Sequence, residues 1–238
     1  MSILLTGGTG KLGKAIISSG GLPGLVAPKR DEMDITKPES VKSFLSEHEF
    51  DAIVHCAALA RMGECEADPG NAFRTNVMGT GNLVMGVLGT EARFVHISTD
   101  GVYPGTRGNY SETDETRPYN VYGWTKLGAE SAVKLLTNHC VIRTSFFDPS
   151  DIRFEDSATD KYSSQITIHQ IVEAIVKMVH NDFVGTVNIG GERRSDFDVY
   201  KEHKHSLKAC TFEDVLRQSP APLARDSSMD CRLWEGMK

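Results

Sequence analysis

The 238-residue chain lacks any run approaching the roughly 18 consecutive apolar residues that a bilayer crossing needs. Its first residues, MSILLTGGTG, lack the charged and apolar regions of an export signal. A cytoplasmic protein with no membrane partner is expected. Paired cysteines are also missing: Cys56, Cys65, Cys140, Cys210 and Cys231 include no CxxC arrangement, which argues against a disulfide framework and a structural zinc site. There is no basic stripe either. A net charge of -6, with 24% charged and 39% hydrophobic residues, gives no expectation of nucleic-acid binding. His203 and His205 have ligand-like spacing, but in KEHKH the flanking lysines favour a solvated surface, so no metal is expected. Internal repeats and low-complexity segments are absent.

What the chain does have is a regular alternation. Short runs rich in Val, Ile and Leu, at Ser2 to Leu5, Leu25 to Ala27, Ala52 to Cys56, Phe94 to Ile97 and Cys140 to Thr144, do not alternate with polar residues, as suits buried parallel strands. Helix-like stretches lie between them at Leu12 to Ser19, Pro38 to Glu47, Pro69 to Leu88 and Tyr122 to Leu136. The β-α-β-α order predicts an α/β, Rossmann-type, doubly wound parallel sheet. The length accommodates one such domain and a small lobe. The dinucleotide-binding domain is expected over 1–147, with a helix in 166–182 packing back on it. A small C-terminal substrate lobe is expected from 148–165 and 183–238.

Thr6-Gly7-Gly8-Thr9-Gly10-Lys11-Leu12-Gly13 follows the first strand and opens the first helix, where free backbone N–H groups favour a pyrophosphate. After the second strand stand Lys29 and Arg30, where NAD-selective folds usually carry a carboxylate. They favour NADPH, with NADH as the alternative; a solvated basic loop is the plainer reading of the pair. Tyr122 and Lys126, spaced i and i+4 at a helix start, share one face. To exchange a proton near neutral pH, a phenol must drop about three units from its usual value near 10, and a neighbouring ammonium is expected to supply much of that shift. Alone, a YxxxK is common by chance. Thr99 ends the fourth strand, where ligands gather in open α/β sheets.

Taken in order, TGGTGKLG, DAIVHCAA, CEADPGNAFRTNVMGT, HISTDGVYPG, ETDETRPYNVYGWTK and IRTSFF make the chain resemble the extended short-chain dehydrogenase/reductases, in their dTDP-4-dehydrorhamnose reductase branch. The resemblance is nearly continuous to Phe147 and resumes at Ile166 to Gly191. It implies NADPH-dependent reduction of a nucleotide-linked 4-keto-6-deoxyhexose, with Tyr122 as proton donor, Lys126 holding ribose hydroxyls and lowering the tyrosine pKa, and Thr99 orienting the carbonyl. It implies cofactor contacts from Gly7, Thr9, Gly10, Lys11, Leu12, Arg30, Asp34, Ile35, Ala57, Ala58, Asn76 and Lys126. Substrate contacts are implied for Thr99, Asp100, Val102, Tyr103, Asn120 and Tyr122. A homodimer is left open, with the helices carrying Pro69 and Tyr122 as its surfaces by that similarity.

The chain departs from the family after Phe147, where it is short, so the substrate lobe is expected to be trimmed. The stretch from Pro220 to Trp234 resembles the family's closing lobe motif. Alternatives stay open: a sugar-nucleotide 4-epimerase with bound NAD, a dehydratase, disfavoured because Asp100-Gly101 follows Thr99 where an Asp-Glu pair is needed, or a non-catalytic dinucleotide-binding regulatory subunit.

Overall fold

Strand and helix alternate from the first residues of the computed structural model, which describes residues 1–237. The order is β1 (Ile3–Thr6), α1 (Lys11–Ser19), β2 (Leu25–Val26), α2 (Pro38–Glu47), β3 (Ala52–His55), α3 (Met62–Ala67) and α4 (Pro69–Phe73). A π turn at Arg74–Met78 leads into α5 (Gly79–Val87), followed by β4 (Arg93–Ile97), α6 (Val121–Val133) and β5 (His139–Thr144). Then come β6 (Phe146–Phe147), β7 (Asp156–Ala158), β8 (Tyr162–Ser163), β9 (Ile166–Thr167), α7 (Ile168–Val179) and β10 (Gly185–Ile189). The chain continues through β11 (Arg194–Ser195), α8 (Asp196–Lys201), β12 (Lys208–Cys210), α9 (Phe212–Gln218) and α10 (Arg232–Glu235).

Six parallel strands form one sheet in the order β10-β5-β4-β3-β1-β2. Its Val-, Ile- and Leu-rich strands are covered on both faces, which explains why they show no polar alternation. One face packs under α1 and α7 through Leu12, Ile16, Ile171 and Ile175, and the other under α2, α5 and α6 through Val41, Leu83 and Val133. Strand order reverses direction between β1 and β3, leaving a crevice at their carboxyl ends. This is the expected Rossmann-like α/β fold. One boundary moves: β10 pairs with β5 in the main sheet, so Gly185–Ile189 belongs to the sheet and not to the lobe.

The helix expected as one piece from Pro69 is divided by the π turn, an insertion that adjoins functional sites in many proteins. At its N-terminus α6 is capped by Asn120, whose side chain accepts from the Gly123 N–H at 2.8 Å. On the inner side of α6 lies Glu130, fully buried, with Oε2 2.7 Å from Nη2 of the equally buried Arg143. Ser98 Oγ donates to Glu130 Oε1 at 2.6 Å, and Arg143 Nη1 donates to Tyr103 Oη at 2.9 Å. Tyr103 in turn donates to Asn188 on β10 at 2.8 Å.

The lobe consists of two- and three-residue strands paired across long chain separations, β11 with β8 and β12 with β7. Its closing stretch threads back toward the sheet, where Ser227 Oγ donates to Asp100 Oδ2 at 2.6 Å. Among the described residues no helix is long and apolar enough to cross a membrane, and no three His, Cys, Asp or Glu side chains are grouped to hold a metal.

Removing one member of a buried ion pair strands the other. Glu130→Ala is expected to cost about 3–5 kcal/mol of unfolding free energy, measured by urea denaturation; a loss below about 1 kcal/mol would show that the network is not a structural anchor.

Candidate active site

The loop from Thr6 to Gly10 turns at Gly7, which has φ +76°; a Cβ there would stand 2.6 Å from the Ala57 nitrogen. Gly13 closes the packing of α1 on the loop, since a Cβ would run into the Gly7 carbonyl oxygen. A cavity of about 270 Å³ lies over this turn, lined among others by Thr9, Gly10, Arg30, Asp34, Ile35 and Ala57. Beside it opens a cleft of about 540 Å³, bordered by Lys11, Leu12, Thr99, Asp100, Tyr122 and Lys126. Gly7, Gly10, Cys56 and Ala58 border both, so the two make one trough from the Arg30 end to Tyr122. Neither Gly7 nor Gly13 could carry a side chain without moving this turn.

At the Arg30 end, Asp34 is consumed by its own chain. Its Oδ1 accepts from Thr36 N at 3.0 Å and Thr36 Oγ1 at 2.7 Å, and its Oδ2 from Arg30 Nε at 3.3 Å. Burial works against the charge of Asp34, yet the hydrogen bonds from Thr36 and Arg30 outweigh it and hold its pKa below the usual carboxylate range. Arg30 meets Asp34 through Nε, which leaves its outer nitrogens for another acceptor. Lys29, expected beside it, is exposed and does not line the cavity.

At the other end, Tyr122 is half-buried and Lys126 is 3% exposed. Burial pulls the Lys126 ammonium down to about 8, against the pull of Glu130 and Cys56. Tyr122 departs from expectation. Burial pushes its phenol above the ordinary value, and the charges of Asp100 and Cys65 push the same way, so the lowering expected from Lys126 is not seen. The i, i+4 spacing brings both groups to the cleft, but desolvation dominates the phenol. Thr99 Oγ1 donates to Asp100 Oδ1 at 3.1 Å and accepts from Gly101 N at 3.0 Å. Burial raises the Asp100 pKa, while hydrogen bonds from Ser227 and Thr99 oppose that.

Four expected contact residues lie outside the trough. Val102 and Tyr103 are fully buried in a cluster with Tyr110 and Met229, and Tyr103 spends its hydroxyl on Arg143 and Asn188. In this structure both side chains pack in that cluster and do not line the trough. Asn120 is the α6 cap. Asn76, at 1% exposure, instead ties the segment after β3 to α6: its Oδ1 accepts from Leu59 N at 2.7 Å and its Nδ2 donates to Thr125 Oγ1 at 2.8 Å. Conversely, Tyr119, Lys161, Gln165, Asp196 and Tyr200 border the cleft without having been singled out. Lys161 pairs with Asp196 at 2.7 Å and Tyr200 donates to Gln165 at 2.6 Å. Tyr119 comes from the turn just before α6, whereas Lys161, Gln165 and the α8 pair Asp196 and Tyr200 arrive from the lobe, far along the chain from the cleft residues of the sheet.

Residues 1–154 match the family model described as RmlD substrate binding domain. A dTDP-4-dehydrorhamnose reductase of Mycolicibacterium smegmatis is 27% identical over 92% of this chain and 76% of its own length. A solved dTDP-4-dehydrorhamnose reductase of Clostridium acetobutylicum superposes with a TM-score of 0.89 at 25% identity, covering 99% of this chain and 92% of that one. Methionine adenosyltransferase 2 subunit beta of Rattus norvegicus is 34% identical over 55% of this chain, spanning 42% of that protein.

A methyl group at Gly13 has no room without shifting the turn. Gly13→Ala is expected to weaken dinucleotide binding at least tenfold by fluorescence titration; unchanged affinity would show that the turn does not hold the pyrophosphate.

Proposed function

The chain belongs to the RmlD substrate binding domain family, of extended short-chain dehydrogenase/reductase type, and from that premise we propose that it is an NADPH-dependent reductase of a nucleotide-linked 4-keto-6-deoxyhexose. The observation that carries this reading is the single trough joining the glycine turn to Tyr122 and Lys126. Gly7, Thr9 and Gly10 would cradle the pyrophosphate, Ala57 and Ala58 would line its floor, and Ile35 would face the adenine. Arg30 supports a 2′-phosphate, since Asp34 is already engaged by three hydrogen bonds from Thr36 and Arg30. When bound, the reduced nicotinamide supplies a hydride to the carbonyl carbon.

Tyr122 Oη gives its proton to the carbonyl oxygen, and Thr99 Oγ1 would turn its single O–H from Asp100 Oδ1 to the same oxygen. The raised phenol pKa keeps Tyr122 protonated at neutral pH, which is the state a donor must start from. Lys126 donates from its ammonium to ribose hydroxyls. Lys161, Gln165, Asp196 and Tyr200 line the cleft and would meet the sugar. A second reading, a dinucleotide-binding subunit without turnover, is favoured by the similarity to a protein named as a subunit beta.

Mixing the protein with NADPH and a panel of dTDP-, UDP- and GDP-linked 4-keto-6-deoxyhexoses should give substrate-dependent loss of the reduced-nicotinamide absorbance. Tight dinucleotide binding with no oxidation would favour the subunit reading. Tyr122→Phe should retain dinucleotide affinity and lower kcat about 100-fold or more; near-normal turnover would remove the phenol from the donor's role. Because Lys126 is charged below about 8 and neutral above it, dinucleotide affinity should fall as pH rises through that value. A flat profile from pH 6.5 to 9.5 would contradict the ammonium's role.

A further inference from the structure

Lys126 enters the cleft floor with one hydrogen-bond partner among the described residues, and that partner is His96 on β4, with Nε2 3.2 Å from Nζ. We propose that His96 is the positioning residue that fixes the Lys126 ammonium, accepting its hydrogen bond through Nε2 beneath the cleft. This rests on the role given above to Lys126.

The hydrogen bonding decides the tautomer. An ammonium only donates, so the accepting Nε2 carries no proton and the ring's proton sits on Nδ1. His96 is fully buried, and its Nδ1 is one of two buried side-chain polar atoms among the described residues without a partner; the other is Thr144 Oγ1, at the cleft wall. An apolar side chain would pack at this point of β4 without stranding a polar group. The neighbouring imidazole offers no exchange of protons, because His55 already spends Nδ1 on Thr6 at 2.6 Å and Nε2 on Thr80 at 2.8 Å. Its ring lies 5.2 Å from that of His96. Burial and the Lys126 charge hold both imidazoles uncharged across the working pH range. The groups facing Lys126 are therefore Cys56 and His55 from the β3 side, His96 from β4, and Tyr122 and Glu130 from its own helix, with Glu130 paired to Arg143 of β5. Of these, His96 supplies the hydrogen bond that aims the ammonium.

The test compares His96→Gln, whose amide oxygen reaches toward the Nε2 position, with His96→Asn, which is too short to reach it, and His96→Met, which fills it with an apolar methyl group. NADPH dissociation constants are measured from pH 6.5 to 9.5, with folding checked by thermal melting and Lys126→Met as the reference. His96→Asn and His96→Met should bind NADPH about tenfold more weakly at pH 7.5, and the pH at which affinity falls should drop by about one unit. His96→Gln should stay near the wild type in both. If Lys126→Met weakens binding while His96→Asn does not, His96 has no positioning role. Equal impairment of His96→Gln and His96→Asn, with folding intact, overturns the acceptor role as well. If Lys126→Met itself binds NADPH normally, the proposed role of Lys126 fails first and the one built on it falls too. Should His96→Met not fold, the Gln and Asn pair decides the question.

Discussion

The buried carboxylate of Glu130 is the point to which the working parts of this molecule are tied. Taking two charges out of water costs several kcal/mol per ion, and such a pair persists only where hydrogen bonds satisfy both partners. Here they do. Glu130 accepts from Arg143 through two nitrogens and from Ser98, while Arg143 passes on to Tyr103 and Tyr103 to Asn188. The chain of contacts joins α6, the end of β4, β5 and β10. Glu130 stands four residues after Lys126, and Lys126 four after Tyr122, so one face of α6 carries its anchor and both cleft groups. The rotation that buries the carboxylate also aims the lysine at the sheet.

That network also explains what could and could not be read from the chain alone. The strands, the glycine turn and the Tyr122–Lys126 pair were legible because each depends on neighbours within a few residues. Val102 and Tyr103 sit close to Thr99 in sequence, and the family resemblance implied that both meet the substrate. Tyr103 instead faces the sheet interior, where its hydroxyl completes a charge network assembled from α6, β5 and β10. Asn188 has no local signature that would announce this. The π turn was hidden for another reason: a single added residue leaves the apolar pattern from Pro69 nearly helical while shifting what lies beyond it. The lobe was least legible, since strands of two or three residues carry no periodicity and owe their pairing to partners such as Tyr162 and Arg194 to Ser195, far apart in the chain.

The direction of the Tyr122 shift marks a limit of reasoning from spacing. An ammonium one helical turn away favours a phenolate, and in water that would be the larger effect. In the cleft, burial removes the solvent that would stabilise the phenolate, and Asp100 adds a like charge. Burial acts on both groups of the pair but with opposite consequences for charge. It keeps Tyr122 neutral, whereas Lys126, brought down only to about 8, remains charged at neutral pH.

For the reductive direction proposed here, that asymmetry suits both roles. The phenol begins as the donor, and the phenolate left after proton transfer is the species the surroundings disfavour, so it must be reprotonated before another cycle. Lys126 borders the same cleft and still has a proton to give at neutral pH, while His96 and His55 beneath it are held uncharged. A neutral imidazole floor can aim the ammonium and accept its hydrogen bond without competing as a second cation for the dinucleotide. Gln165 and Asp196 of the lobe border the same cleft as Tyr122 and Lys126, so the lobe and the imidazole floor bound the pair from different parts of the chain.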